Sequence, residues 1–232
     1  MTERLTLSPR LAAAASLIRD GAFVSDVGTD HAYLPIALCL HGRARGGVVS
    51  DINAGPIERA RENIKRYGLE DRLCAVQANG LTGIDRYAPE DIMILGMGGE
   101  LIASILEAAE WTRKESLRLC LQPMTHPEHL RAFLACNGYA VIDERIARED
   151  DKIYQVILAE YSGRREEYSE EELLLGRINI ERGGEDLLAL ADHHVAVLSR
   201  RVKGIESAGG NAADVRSLIE KINTAKCKGG KI

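Results

Sequence analysis

Up to about residue 160, short continuous apolar runs alternate with longer stretches in which apolar positions recur at helical spacing. Apolar runs of this kind are typical of strands that are buried on both faces of a mostly parallel sheet. The predicted strands cover residues 22–27, 46–52, 73–79, 91–97, 116–123, 139–147 and 153–161. The predicted helices cover an amphipathic N-terminal segment and residues 33–40, 55–68, 100–111 and 128–138. A short charged turn joins the last two strands, which predicts a hairpin and therefore a late antiparallel strand.

After about residue 163 the strand pattern stops. Between residues 191 and 205, apolar residues recur at alternating spacings of four and three, which predicts one apolar seam along a helix. A turn follows, then a shorter apolar stripe at 215–222, and residues 227–232 look like a frayed tail. We therefore expect an α/β domain over residues 1–162 and an antiparallel α-helical hairpin, coiled-coil-like, over residues 163–232.

Composition removes several classes of protein. No apolar run in the 232 residues reaches the length of a transmembrane helix, and the charged N-terminal segment does not resemble a signal peptide. The five cysteines form no CxxC pair, which predicts reduced core thiols in a cytosolic protein. The net charge of −5 argues against a protein that coats nucleic acid, but not against one that uses a local basic patch.

The stretch DVGTDHAYLP, residues 26–35, follows the first predicted strand and opens a helix, where α/β sheets bind nucleotide-like ligands. Only Gly28 matches the three-glycine pattern that holds a pyrophosphate, so NAD is disfavoured. S-adenosylmethionine, which has no phosphate, fits better, and Asp26 is placed to accept a hydrogen bond from its ammonium group. Taken alone, a strand, a turn with one glycine and a helix are more often purely structural.

Three later segments end at the same edge of the predicted sheet. Asp51 ends the second strand, where an acidic residue accepts from the hydroxyls of a ribose. Asn79 follows the third strand and is placed to bind an adenine through its amide. The glycines of residues 96–99 leave room for a flat base, against which Met97 can pack. Each segment also has an ordinary interpretation as a helix cap or a turn.

Taken in order, five segments resemble the TrmK family of bacterial tRNA methyltransferases, which modify N1 of adenine 22. They are DVGTDHAYLPIAL, SDINAGPIERARENI, LGMGGELIASIL, LQPMTHPEHLRAFL and GYAVIDERIAREDDKIYQVILAE, and the resemblance as a whole covers roughly residues 4–161. The resemblance implies a class I (Rossmann-like) methyltransferase sheet, S-adenosyl-L-methionine as donor, S-adenosyl-L-homocysteine as product, tRNA as substrate and a C-terminal helical domain. Asn79 departs from the aspartate common in the family, and Arg177 follows Gly176 where the family commonly has proline.

Carried over position by position, the resemblance implies that Asp30 is the catalytic residue. With the reasoning above, the expected cofactor-binding residues are Asp26, Gly28, His31, Asp51, Ile52, Asn79, Gly80 and Gly96. The expected substrate-binding residues are Tyr33, Met97, Gly98 and Gly99. Asp30 either orients the adenine through its N6 amino group or removes a proton from it. Adenine N1 already carries a lone pair, so the reaction is mainly one of orientation in a dry site, and no metal is expected.

The charge distribution contains no basic domain, because residues 161–232 carry 12 basic and 12 acidic side chains. Three basic groups are candidates for contact with tRNA, although each is more often a solvated surface. They are Arg4, Arg10 and Arg19; Arg59, Arg61, Lys65 and Arg66; and Arg200, Arg201 and Lys203. Two alternatives stay open: a methyltransferase of the same fold with another nucleic-acid site or a small molecule as substrate, and a non-catalytic RNA-binding module with a relic cofactor pocket. We expect a cytoplasmic monomer without membrane contact.

Overall fold

The chain forms a single seven-stranded sheet in the computed structural model, which describes residues 5–229; Arg4 of the first basic group lies outside them. The strands are β1 (Ala22–Val27), β2 (Ala44–Asp51), β3 (Leu73–Gln77), β4 (Asp91–Gly98), β5 (Arg118–Thr125), β6 (Tyr139–Glu149) and β7 (Lys152–Tyr161). Their order is β3-β2-β1-β4-β5-β7-β6. The first five strands pair in parallel, and β7 is antiparallel to β5 and β6. The predicted mostly parallel sheet with a late antiparallel strand is therefore confirmed.

Helices cover both faces of this sheet. Those before the last strand pair are α1 (Pro9–Leu17), α2 (Tyr33–Leu40), α3 (Ala54–Arg66), α4 (Gly99–Glu107) and α5 (Pro127–Cys136). The first three contribute apolar residues to one buried cluster, and α4 and α5 contribute to a second cluster on the other face. Within β4, Met93 lies in the first cluster, whereas Ile92 and Ile94 lie in the second. The strand is apolar throughout because successive side chains alternate between two covered faces.

The predicted boundaries of these elements are close to the observed ones. Each predicted strand is present, and its ends differ from the prediction by at most two residues. The predicted helix over 100–111 is too long, because α4 ends at Glu107 and a separate 3-10 turn covers Glu110–Thr112. The expectation of core thiols is correct for Cys39 and Cys120 and wrong for the three exposed cysteines, Cys74, Cys136 and Cys227.

The C-terminal region consists of α6 (Glu170–Leu175), α7 (Arg177–Arg182), α8 (Glu185–Ser207) and α9 (Ala213–Gly229). The long helices α8 and α9 form the expected hairpin around a third apolar cluster, which also includes Ile146 and Ile153 of the β6–β7 hairpin. Helix α9 continues to Gly229, so the tail does not fray at residue 227, and residues 230–232 lie outside the described range. The two short helices were not predicted, although Ser169 and Glu172 form a capping box that the sequence already contains. Between residues 5 and 229, no helix is long and apolar enough to cross a membrane.

A buried polar group, which we call the docking seam, fastens the helical region to the sheet domain. It consists of Arg131, Glu144 and Gln155 together with the backbone of residues 173–178. Arg131 is 0% exposed; its Nε and Nη2 donate to Glu144 Oε1 at 2.8 and 2.6 Å, and its Nη1 donates to a carbonyl of residues 173–178 at 2.8 Å. Glu144 Oε2 accepts a backbone N–H at 3.1 Å, and Gln155 Nε2 donates to a backbone carbonyl at 3.0 Å. The charges in the seam thus have partners on both sides of the junction.

Candidate active site

A cleft of about 310 Å³ opens at the carboxyl end of β1, between the loop that follows this strand, α1 and the end of β4. The sequence-predicted residues that line it are Asp26, Gly28, Asp30, His31, Tyr33 and Gly96. They come from β1, the loop and helix that follow it, and the end of β4, and these two parallel strands end at the same edge of the sheet. Six of the thirteen expected site residues are therefore brought together, and the others lie elsewhere along this edge.

Hydrogen bonds to β2 and within the loop hold the loop after β1 in place. The backbone N–H groups of Gly28 and Thr29 donate to the carbonyl of Ser50 at 2.8 and 3.0 Å, and the Thr29 hydroxyl accepts from the N–H of Ala32 at 3.0 Å. Gly28 has φ +77°, and a Cβ at this position would clash with the side-chain methyl of Met97. The left-handed backbone conformation favours glycine here, whereas the contact is with the end of a flexible side chain that can shift. The amides of Gly28 and Thr29 are consequently not free to bind a ligand.

Asp26 is the buried acid of the cleft, with 8% of its surface exposed. Burial raises its pKa from 3.8 to about 6, and a hydrogen bond with the Thr29 side chain opposes this shift only in part. Few groups of the protein stabilise the negative charge of this buried carboxylate. A cationic donor that enters the cleft would therefore stabilise it. The expected role of Asp26 as an acceptor for an ammonium group stays a prediction.

Asp30 lies at the mouth of the cleft, and 64% of its side chain is exposed. Its Oδ1 accepts from Nη2 of Arg59 on α3 at 2.5 Å, and its Oδ2 lies 3.1 Å from Nε2 of His31. The hydrogen bond from Arg59 is the main reason why the pKa of Asp30 lies below its ordinary value. The ring of His31 is stacked on that of Tyr33, with centroids 5.0 Å apart and planes 9° apart. Asp30 is thus an ionised acceptor beside an aromatic pair, and it is a poor base.

Asp51 and Ile52 lie at the end of β2, next to the cleft but not within it. Asp51 Oδ1 accepts from the backbone N–H of Asn53 at 2.7 Å, which is the local turn that the ordinary interpretation predicts. The assignment of Asp51 to a ribose hydroxyl stays a prediction. Ile52 is 56% exposed, so this apolar side chain is presented to solvent at the sheet edge where the expected cofactor lies.

Asn79 and Gly80 line a different groove, of about 410 Å³, between the loop after β3 and helix α4. Leu101 and Ile105 form the α4 wall of this groove, and the Ile105 side chain lies 3.3 Å from where a Cβ of Gly80 would be. The structure therefore does not bring Asn79 and Gly80 into the cleft that contains Asp26. Their assignment as cofactor-binding residues stays a prediction.

The GMGG segment forms the end of a strand and not a loop, because β4 runs through Gly98 with irregular pairing to β5. Gly96, with φ +77°, lines the cleft, and Met97 packs against Gly28. Gly98 lies beside the Thr125 hydroxyl, and a Cβ on Gly99 would clash with the backbone carbonyl of residue 126. Only Gly96 of the three glycines faces the cleft. Close packing of the start of α4 on the backbone just before α5 suffices to explain Gly99.

Arg10 and Gln122 lie in the cleft region but were not predicted as residues of the site. Arg10 on α1 lines the cleft, although the sequence indicated it only as a candidate for contact with tRNA. Its Nη1 donates to Oε1 of Gln122 at 3.3 Å, and the same oxygen accepts from the backbone N–H of Gly96 at 3.1 Å. Gln122 is 1% exposed, and its position in the apolar run of β5 was a signal that could have identified it. The cleft thus holds Asp26 and Arg10, two opposite charges. No group of three potential metal ligands is found among the described residues.

Comparison with known proteins gives consistent results. Residues 7–157 match the family described as methyltransferase domain. The chain is 41% identical over 160 residues to the tRNA (adenine(22)-N(1))-methyltransferase of Bacillus subtilis (strain 168), an alignment that covers 69% of this chain and 67% of that protein. The crystal structure of the Bacillus subtilis m1A22 tRNA methyltransferase TrmK has a TM-score of 0.81 at 31% identity and covers 97% of this chain and 98% of that chain. The Streptococcus pneumoniae protein Sp1610 in complex with S-adenosyl-L-methionine has a TM-score of 0.85 at 27% identity and covers 95% of this chain and 100% of that chain.

Proposed function

The chain belongs to the methyltransferase-domain family, within the family of the bacterial tRNA (adenine(22)-N(1))-methyltransferases, and on this basis we propose that it transfers a methyl group from S-adenosylmethionine to N1 of adenine 22 in tRNA. One observation of the structure carries the proposal beyond family membership. A single cleft combines a buried acid, Asp26, and a cation, Arg10, with an exposed ionised acid, Asp30, at its mouth.

The two inner charges suit the amino-acid end of S-adenosylmethionine, which carries an ammonium and a carboxylate. Asp26 is placed to accept from the ammonium, and Arg10 is placed to donate to the carboxylate. Gly96 keeps the far wall open, since the nearest atom to its missing Cβ is Arg10 Nη1 at 3.9 Å. Asp51 and the exposed Ile52 extend this site along the sheet edge toward the ribose and adenine. When bound, the cofactor supplies a methyl group on a positively charged sulfur, which a neutral nitrogen attacks directly.

Asp30 and its neighbours position the target adenine. The carboxylate accepts from the N6 amino group and so turns N1 toward the cleft, while the His31–Tyr33 pair offers a flat surface for the base. Proton removal is not needed, because N1 attacks through its lone pair. The lowered pKa of Asp30 supports the orienting role, since a weak base that stays ionised is suited to stabilise the positive charge of the methylated ring.

The tRNA must present adenine 22 outside its stacked helix, because N1 lies on the Watson–Crick edge. We assign a contribution to tRNA binding to residues 163–232, as the helical domain of a two-domain enzyme divided at residues 162 and 163. We also propose that the protein works in the cytoplasm as a monomer, because the apolar seam of α8 is covered by α9. Light scattering on the purified protein tests the monomer, and a stable dimer contradicts it.

The decisive experiment is methyl transfer to a transcribed tRNA, followed by nucleoside analysis. The control substrate is the same tRNA with guanine at position 22. We expect N1-methyladenosine in the first tRNA and none in the second. Methylation of both tRNAs would place the target elsewhere and favour the first alternative. Cofactor binding by calorimetry without transfer to any tRNA favours a different substrate, and absence of cofactor binding favours the non-catalytic module.

A further inference from the structure

Both carboxylate oxygens of Asp30 already have partners within the chain. Arg59 Nη2 lies 2.5 Å from Oδ1, and His31 Nε2 lies 3.1 Å from Oδ2. In the proposed function, one of these oxygens accepts from the N6 amino group of the target adenine. One partner must therefore give way or share its oxygen when the base arrives.

Arg59 is the partner that is free to move. The His31 ring is held in its stack with Tyr33, whereas the Arg59 side chain is 47% exposed on the outer face of α3. The loop does not depend on Arg59 for its position, because the Asn63 side chain donates to the His31 carbonyl at 3.0 Å. The loop amides that donate to Ser50 fix it further. An ion pair as exposed as that of Arg59 contributes little to stability, so exchanging its partner is easy.

An RNA that enters this cleft supplies the new partner. The phosphates that flank an extruded base stay at the rim of the pocket, where the uncompensated charge of Asp30 would repel them. A guanidinium matches the geometry of a phosphate and binds it with two parallel hydrogen bonds. In the free protein, Arg59 neutralises Asp30, and in the complex the same cation is close enough to neutralise the phosphate.

We propose that Arg59 binds a tRNA phosphate at the mouth of the cleft, and that it leaves Asp30 for this phosphate when the target adenine takes its place. The inference rests on the proposed function, because it needs an RNA in the cleft. It selects one residue from the basic group of α3, which the sequence could not do. It also gives the ion pair a purpose: Asp30 is kept neutralised until the polyanion is bound.

The test is the affinity for a transcribed tRNA, measured by filter binding across a range of salt concentrations. Arg59→Met is compared with wild type, and the same change is made in the Asp30→Ala background. We expect Arg59→Met to weaken tRNA binding about tenfold in both backgrounds. The slope of log affinity against log salt falls by about one, and Arg59→Lys keeps the slope. Arg86→Met is the matched control, since it removes an exposed arginine from the 3-10 turn Asp85–Tyr87, and it leaves both quantities unchanged.

A purely structural role for Arg59 predicts a different pattern. If Arg59 acts only through Asp30, Arg59→Met has no effect on tRNA affinity or salt slope in the Asp30→Ala background, and the inference is overturned. Calorimetry with S-adenosylmethionine checks that the variants keep an intact cofactor site. The two proposals fail separately. Normal formation of N1-methyladenosine at position 22 without a slope change removes the Arg59 inference alone, whereas a slope change without that product removes the proposed reaction alone.

Discussion

The docking seam and the cleft both hold charged side chains, but the seam supplies partners that the cleft lacks. In the seam, Arg131 and Glu144 are fully buried and bonded to each other and to backbone groups of the helical region. In the cleft, Asp26 is buried with one side-chain hydrogen bond and a raised pKa, whereas Arg10 is partly exposed, with a 3.3 Å hydrogen bond to Gln122 and a 3.9 Å ion pair with Glu149. The buried charges of the docking seam have partners without a ligand. In the cleft the buried charge of Asp26 lacks such partners, which is typical of a binding site.

The largest effect, a loss of stability, is expected for a substitution in the docking seam. Glu144→Ala leaves the Arg131 guanidinium buried without its carboxylate, and we expect a loss of about 3–5 kcal/mol in the free energy of unfolding. Urea denaturation measures this loss. The matched control is Glu160→Ala, which breaks the partly exposed ion pair with Arg118 and is expected to change stability by at most about 1 kcal/mol. Equal losses for the two variants would show that the seam is no more important than a surface pair.

The second effect belongs to the cleft and is expected to leave stability unchanged. Asp30→Ala removes the proposed acceptor for the adenine amino group, and we expect the rate of methyl transfer to fall about a hundredfold or more. Binding of S-adenosylmethionine, measured by calorimetry, should stay within about twofold, because Asp30 lies at the mouth of the cleft and not at its inner charges. Asp71→Ala, another exposed aspartate, is the control. Full activity of Asp30→Ala would show that the assigned role is wrong.

The sequence predicted the fold well because its signals are local. Apolar runs and glycine turns lie next to each other along the chain, so β1, Gly28 and α2 could be placed from residues 22–40 alone. Parallel strands place their carboxyl ends at one edge of the sheet, and this rule correctly predicted that Asp26, Asp30 and Gly96 lie together. It could not tell which way a side chain points, and Asn79, at the same edge, lies in another groove.

The seam and Arg10 could not be predicted for two physical reasons. Arg10 reaches the cleft only because α1 packs over the sheet, a contact between distant parts of the chain. Glu144 faces inward because pairing in β6 is irregular between Val141 and Asp143, so that Val141 and Glu144 lie on the same face. Regular alternation would have put Glu144 on the opposite face from Val141, and the charged sequence around it gives no sign of a bulge.

Asp26 offers a third test, because removing its charge is expected to stabilise the fold, whereas removing a charge from the docking seam is expected to destabilise it. The pKa of Asp26 is about 6 in the folded chain, above its ordinary value of 3.8, so the folded state binds the proton more tightly and stability falls as pH rises from about 4 to 6. Asp26→Asn removes the buried charge, and we expect a gain of about 1–3 kcal/mol at pH 8 that disappears near pH 4. Urea denaturation at the two pH values measures it. A loss of stability at pH 8 would contradict the view that Asp26 is an uncompensated charge.

The smallest effect is expected at Arg10, and it decides whether this cation belongs to the cleft or to the RNA-binding surface. Arg10→Met keeps a long side chain against Tyr154 but removes the proposed donor for the cofactor carboxylate, so the affinity for S-adenosylmethionine should fall about tenfold. Arg10→Lys should recover part of it, since a point charge remains without the planar fork. Arg45→Met removes a cation that pairs with Glu90 at the other end of the sheet and should not change cofactor affinity. If Arg10→Met instead weakens tRNA binding and spares the cofactor, Arg10 contacts the RNA and is not the cation that binds the cofactor carboxylate.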